Sequence, residues 1–159
     1  MVRHGEKAFM SGPQGPVLTP SGEKQAEAFA RLWLPRVQGK NCGLYISEKI
    51  RTRQTLAPLA TNLGVALQTD ARLNERSHAE TEAEFYRRVL QCLLQIESQQ
   101  PPKDFVFFCS HYDVLETGVQ VLEDKASSPF PKPYWRPTTF AHFLFSDGQW
   151  QWLATGDTP

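Results

Sequence analysis

Five ionisable side chains stand out by their types and by the segments that carry them. Arg3 and His4 lie in the opening stretch MVRHGEK, Arg51 in SEKIRTRQT, Glu75 in LNER, and His111 directly after the apolar run DFVFFCS. Arginine presents a planar fork of donors that fits phosphoryl oxygens, and a pair of arginines offsets a dianion's charge without a metal. An imidazole kept neutral by those cations can attack phosphorus. A second imidazole can hydrogen-bond the equatorial oxygens where charge sits in the transition state. A carboxylic acid can protonate the leaving oxygen and then, as carboxylate, take a proton from water. Each residue alone has a plainer reading. Arg3 and His4 can be a solvated terminus, and Arg51, between Lys49 and Arg53, an ordinary charged helix start. Glu75 beside Arg76 can be a surface ion pair worth little, and His111 a hydrogen-bonded structural histidine.

Whether the five can meet depends on the elements between them. In LTPSGEKQAEAFARLWLPRVQGK, Thr19 suits a helix cap, Pro20 the first helical position and Gly39 the far end. Ala26, Phe29, Ala30, Trp33 and Val37 form one apolar stripe, with a kink expected at Pro35. GLYIS at 43–47 reads as a strand. A second helix follows over 51–63, with Leu56, Leu59, Ala60 and Leu63 inward and Gly64 as its stop, and then a strand over 65–69. Thr81 and Glu84 form a capping box ahead of the stripe Phe85, Val89, Cys92, Leu93 and Ile96. DFVFFCS at 104–110 is an unbroken run of strand formers, as expected for a strand covered on both faces. A short helix fits 113–123, and four prolines between 124 and 138 mark a loop of restricted shape. The closing stretch reads as two strands about the turn Asp147-Gly148.

This alternation predicts an α/β fold: a mainly parallel central sheet, helices on both faces, and a C-terminal antiparallel hairpin. In such sheets ligands bind beyond the carboxyl ends of the strands. Arg3-His4, Ser47 to Arg51, Glu75 and Ser110-His111 each follow one strand, so the layout brings two arginines, two histidines and a glutamate into one pocket.

Composition narrows the setting. The 159 residues are the length of one domain, and 17 basic residues balance 17 acidic ones. Lys and Arg are nowhere concentrated, which speaks against a nucleic-acid or membrane-surface partner. No apolar run approaches the roughly 20 residues that span a bilayer. Cys42, Cys92 and Cys109 have neither disulfide pairing nor metal-ligand spacing, so buried thiols in a reducing cytoplasm are expected, with no metal and no cofactor.

At this point the segments resemble the histidine phosphatase superfamily, which includes phosphoglycerate mutases, broad-specificity phosphatases and small phosphohistidine phosphatases. VRHGEK is similar to the signature carrying the nucleophile and LTPSGEKQA to the segment after it. SEKIRTRQT is similar to the second-arginine motif, LNER to the acid segment, SHYDVL to the second-histidine motif, and WLATGDTP to the closing strand. The resemblance implies that His4 becomes the phosphohistidine, that Arg3, Arg51 and His111 hold the phosphoryl group, and that Glu75 is general acid and base. Asp113 is the competing acid, because some branches place an aspartate beside the second histidine. The expected function is metal-independent phosphomonoester hydrolysis, with a phosphorylated small molecule or a phosphoprotein as substrate. A non-catalytic phospho-ligand module and a phosphoglycerate mutase-like transferase are the alternatives. Retention of an acid argues against the first, and KAFMSGPQG, which lacks the Trp-Asn pair of the mutases, argues against the second.

Residues 1–159 are expected to form one domain of this family. Members of the family carry a whole strand before the RHG signature and a longer tail, so the resemblance implies trimmed ends and further residues pairing in the sheet centre. Lys7 and Arg76 are candidate contributors of positive potential at the pocket mouth, or plain solvated charges. His142 is assigned to structure and His78 to solvent. Phe130, Tyr134 and Trp135 either roof the pocket or pack their loop onto the core.

Overall fold

The computed structural model describes residues 1–12, 15–98 and 101–158, with the side chains of 10–12, 96 and 97 left aside. Eight strands and four helices are found among these residues: β1 (Val2–Arg3), β2 (Lys7–Gly12), β3 (Gly15–Leu18), α1 (Pro20–Val37), β4 (Cys42–Ile46), α2 (Ile50–Leu63), β5 (Leu67–Thr69), α3 (Glu82–Glu97), β6 (Phe105–Ser110), α4 (Tyr112–Glu123), β7 (Phe140–Ser146) and β8 (Gln149–Gly156). A 3₁₀ turn covers Ala71–Leu73. Six strands form one sheet in the order β5-β4-β6-β1-β7-β8. β5, β4, β6 and β1 run parallel, whereas β7 lies antiparallel to both β1 and β8. The fold is thus the α/β arrangement expected, with the C-terminal hairpin at one edge.

Local chemistry explains the boundaries. Thr19 accepts the Gly22 amide at 3.0 Å and Pro20 opens α1. Gly64 closes α2 at φ 65°, a left-handed conformation that suits glycine. The Glu84 carboxylate accepts the Thr81 amide at 2.9 Å while Thr81 accepts the Glu84 amide, the capping box of α3. Asp147 and Gly148 both take positive φ, 52° and 77°, which matches the turn to the strands' twist.

β6 is covered on both faces. Phe107 and Cys109 join a core with Phe29 and Trp33 of α1, Leu56 and Leu59 of α2, and Leu44 and Ile46 of β4. Phe108 faces the other core, built by Phe85, Val89 and Leu93 of α3 and Leu115, Val119 and Leu122 of α4. All three cysteines are free and buried. Burial pushes the Cys92 thiol up to about 12. No helix among the described residues is long and apolar enough to cross a membrane.

Several expectations need correction. KAFMSGPQG, read only as the segment after the signature, contributes the hairpin β2–β3, which forms a separate two-stranded sheet. The strand expected over 65–69 shrinks to Leu67–Thr69 because the Val65 amide is spent on Ala60 O, 3.1 Å, in closing α2. Helix α1 continues two residues beyond Pro35, and Leu63, half-buried, packs inward against the core as expected. Ile96 lies outside the described side chains.

Candidate active site

Four parallel strands deliver their C-terminal ends to one side of the sheet, and five ionisable side chains meet there. Arg3 ends β1, where its amide donates to Thr139 O at 3.0 Å, and the His4 amide donates to Ser110 O at 3.0 Å. The loop that follows lies directly on α1. A Cβ on Gly5 would come within 2.8 Å of Gly22 O, so neither backbone leaves room for a side chain there. Thr55 Oγ1 accepts the Gly5 amide at 2.9 Å and donates to Arg51 O at 2.7 Å, coupling the His4 loop to the turn of α2 that carries the second arginine.

The His4 ring is 3% exposed and its Nδ1 lies 2.7 Å from Gly5 O. A carbonyl only accepts, so Nδ1 carries the proton and Nε2 keeps its lone pair. Burial lowers the His4 pKa to about 4; Arg51, Arg3 and Lys7 push the same way, against the opposing bond to Gly5. The ring is neutral at pH 7.

His111 caps α4 after β6, with its ring centroid 5.3 Å from that of His4. Arg51 Nη2 lies 3.1 Å from His111 Nδ1, and a guanidinium can only donate. Nδ1 is therefore the acceptor, and Nε2 donates to Ser47 Oγ at 2.9 Å. Ser47 lies 3.0 Å from Thr52 Oγ1 and also accepts the Lys49 amide. Burial, then the Arg51 charge, lowers the His111 pKa to about 2.

Arg51 is 2% exposed, and its Nη2 reaches Glu75 Oε2 at 2.7 Å as well as His111. Glu75 Oε1 approaches His111 Nδ1 at 3.6 Å. With that ring neutral this approach is no ion pair, and the guanidinium lies between two acceptors. Arg3 Nη1 donates to the Trp135 carbonyl, and its guanidinium stands 5.8 Å from the Tyr112 ring centre. Desolvation is the largest influence on the Arg3 pKa and lowers it. Arg3 Nε and Arg51 Nε are buried with no hydrogen-bond partner among the described residues.

His4, Arg3, Arg51, Glu75 and His111 therefore share one cup. Lys7, exposed at the start of β2, is near enough for its charge to act on both imidazoles. Arg76 is turned elsewhere: its Nε donates to Glu80 O at 3.1 Å. Asp113 lies behind the acid loop, where Oδ2 accepts the Arg76 amide at 2.7 Å and Oδ1 accepts the Val114 amide. It anchors the segment carrying Glu75. His78 is exposed, and His142 packs 5.2 Å from Trp33. In the proline-rich loop Phe130 and Trp135 are buried in the core and Tyr134 is exposed, so the loop packs down and meets the cup through the Trp135 carbonyl. Ser47 and Thr55 were legible only as context for Arg51. No cluster of three or more histidine, cysteine or acidic side chains able to hold a metal ion occurs among the described residues.

Residues 1–82 match the sequence model of the histidine phosphatase superfamily (branch 1), and the chain belongs to that superfamily. The PE-PGRS family protein PE_PGRS11 of Mycobacterium tuberculosis is 42% identical over 80 residues, which is 46% of this chain but 13% of that much longer protein. Solved structures with the same fold include a phosphoserine phosphatase variant from Entamoeba histolytica in complex with phosphoserine, with a TM-score of 0.76 and 17% identity, covering 99% of this chain and 95% of that one. A mycobacterial glucosyl-3-phosphoglycerate phosphatase in complex with VO3 gives 0.74 at 17% identity, covering 96% and 94%. The protein histidine phosphatase SixA complexed with tungstate gives 0.72 at 16%, covering 98% and 94%.

Proposed function

We propose that the chain hydrolyses phosphomonoesters without a metal, through a phosphohistidine formed on His4. The observation that carries this reading is the His4 ring. Its Nδ1 proton is committed to Gly5 O, which leaves the Nε2 lone pair beside Arg51 and His111. The phosphoryl dianion binds Arg3, Arg51 and His111. Nε2 attacks phosphorus, the bond to the leaving oxygen breaks, and Glu75 gives that oxygen its proton. Water then attacks phosphorus while the Glu75 carboxylate takes its proton; the phosphorus–nitrogen bond breaks, its electron pair returns to His4 Nε2, and inorganic phosphate leaves. A dianion at Arg51 competes with Glu75 for the same guanidinium and adds negative charge beside it. Lys7 adds positive potential and Asp113 serves the loop rather than the chemistry.

The names of the fold neighbours, which cover a sugar-linked phosphoglycerate, phosphoserine and a protein phosphohistidine, support phosphoryl hydrolysis of a small metabolite or a phosphoprotein. The test is turnover of para-nitrophenyl phosphate in the presence of a chelator. Wild-type protein should release nitrophenol, and His4→Ala should lose about 10⁴-fold or more in kcat with its Tm nearly unchanged. Absence of wild-type turnover, or an active His4→Ala protein, would end this reading.

A further inference from the structure

Two aromatic rings at the mouth of the cup are exposed and yet held in place. Tyr134 is 75% exposed and Tyr112 41%, although Trp135 and His111, their neighbours in the chain, are buried. Tyr112 opens α4 directly after His111, and its hydroxyl donates to Glu116 Oε1 at 2.7 Å, one turn along the helix. Tyr134 sits in a tight bend. The Arg136 amide donates to Tyr134 O at 2.9 Å, Pro133 and Pro137 flank the bend, and the Arg136 guanidinium stands 5.8 Å from the Tyr134 ring centre. Packing of this loop onto the core uses Phe130 and Trp135 and leaves the Tyr134 ring outside. Rings held in this way lose little further freedom when a ligand packs on them.

Both rings border Arg3. Its guanidinium stands 5.8 Å from the Tyr112 ring centre and donates to the carbonyl of Trp135, the residue after Tyr134. Desolvation lowers the Arg3 pKa, and Tyr134, Tyr112 and Glu75 are each near enough to oppose it. Glu75 marks the side of the cup from which a leaving group departs. Asp113, the residue after Tyr112, accepts the amide of Arg76, the residue after Glu75, at 2.7 Å. The acid and the Tyr112 ring are therefore carried by two segments bound to each other beside the same arginine.

We propose that Tyr112 and Tyr134 form a recognition site for the leaving group, and that the preferred substrate is an aryl phosphomonoester, with a flat aromatic ring on its ester oxygen. This rests on the phosphoryl position proposed above. With the phosphoryl group on Arg3 and the ester oxygen toward Glu75, a ring joined to that oxygen lies against the two tyrosines. A flat ring gains offset or edge contacts with a tyrosine that a saturated ring of similar size does not. Hydrophobicity alone predicts no such preference, because the saturated ring has at least as much apolar area to bury. An aliphatic leaving group offers no ring to either tyrosine.

The test compares benzylphosphonate with cyclohexylmethylphosphonate. They match in charge and nearly in size, they are not hydrolysed, and their methylene stands where the ester oxygen would be. By calorimetry the wild-type protein should bind benzylphosphonate about tenfold more tightly, and in NMR spectra that ligand should shift the ring resonances of Tyr112 and Tyr134. Tyr134→Ala, a change at an exposed ring, should cut the preference to about threefold, and Tyr112→Leu combined with it should abolish the preference. Tyr112→Phe and Tyr134→Phe should keep it. Equal affinities in the wild type, tighter binding of the saturated ring, unmoved tyrosine resonances, no binding of either phosphonate, or a preference that survives in the double variant would overturn the proposal. The nitrophenyl phosphate assay decides the reaction separately. A tenfold preference in a protein without turnover removes the proposed hydrolysis and keeps the ring site, and turnover without the preference does the reverse.

Discussion

The two ends of the β6–β1–β7 region make an instructive pair. At the carboxyl end, every backbone group of Arg3 and His4 has a named partner in Ser110, Thr138 or Thr139, and each imidazole is oriented by a bond to its far nitrogen. At the other end the same strands part around an apolar cavity and hold only each other's outer neighbours. One end is over-determined by directional bonds across all three strands, whereas at the other β6 and β7 are laddered only to β4 and β8 and face each other across apolar walls. Substitutions at the cup should therefore be felt in chemistry and in protonation, and substitutions around the cavity mainly in melting.

After the loss of His4 itself, the largest effect is expected from Arg51→Met. It removes a donor shared by Glu75 and His111 and should lower kcat/KM about 10²–10³-fold for a phosphomonoester. It should also raise the His111 pKa above its value of about 2, read by NMR titration of the ring. An unmoved His111 pKa would detach the two residues.

Acid comes next. His4 and His111 have folded pKa values of about 4 and 2, below the ordinary 6.5, so between these limits the unfolded chain binds more protons. Their contribution to stability is complete above about pH 6.5 and is lost as pH falls through that window. Tm should fall from pH 6.5 toward 4 in wild type and fall less in a His4→Asn variant. A flat wild-type profile would place both rings in solvent.

Ser47→Ala should be milder. It leaves the His111 Nε2 proton without its acceptor, lowering Tm by about 3 °C and kcat about tenfold, while Ser47→Thr, which restores the hydroxyl, should recover part of both. The smallest effect belongs to the cavity wall: Leu144, 44% exposed on β7, should change stability by no more than about 0.5 kcal/mol on Leu144→Ala, against about 2–5 kcal/mol for a packed core leucine. A core-sized loss at Leu144 would show that this wall of the cavity is packed in solution.

Much of this architecture was legible in the chain. Thr19-Pro20, Thr81 with Glu84, Gly64 and Asp147-Gly148 each fix a boundary by local hydrogen bonding or φ, and such signals survive folding because they are made within a few residues. The convergence of Arg3, His4, Arg51, Glu75 and His111 followed from strand polarity. The hairpin β2–β3 was not legible, because Gly12, Pro13, Gly15 and Pro16 break its alternation and its support comes from distant contacts, such as the Leu18 amide on Gln54. Nor was the turn of Arg76 toward Glu80, since a charged side chain's direction is set by neighbours that no local pattern records. Asp113 showed the same limit: its proximity to His111 in sequence suggested acid chemistry, but its carboxylate is used by two backbone amides.

The seat of Gly5 on Gly22 has a mechanical consequence. With backbone resting on backbone, the loop bearing the His4 ring has no cushion of side chains to absorb a shift of the first helix. Any tilt of α1 about its start is passed straight to His4. The helix therefore behaves as a lever whose short arm ends at the His4 ring, and its alignment is set through the Thr19 cap and the Glu6 carboxylate that Thr19 binds.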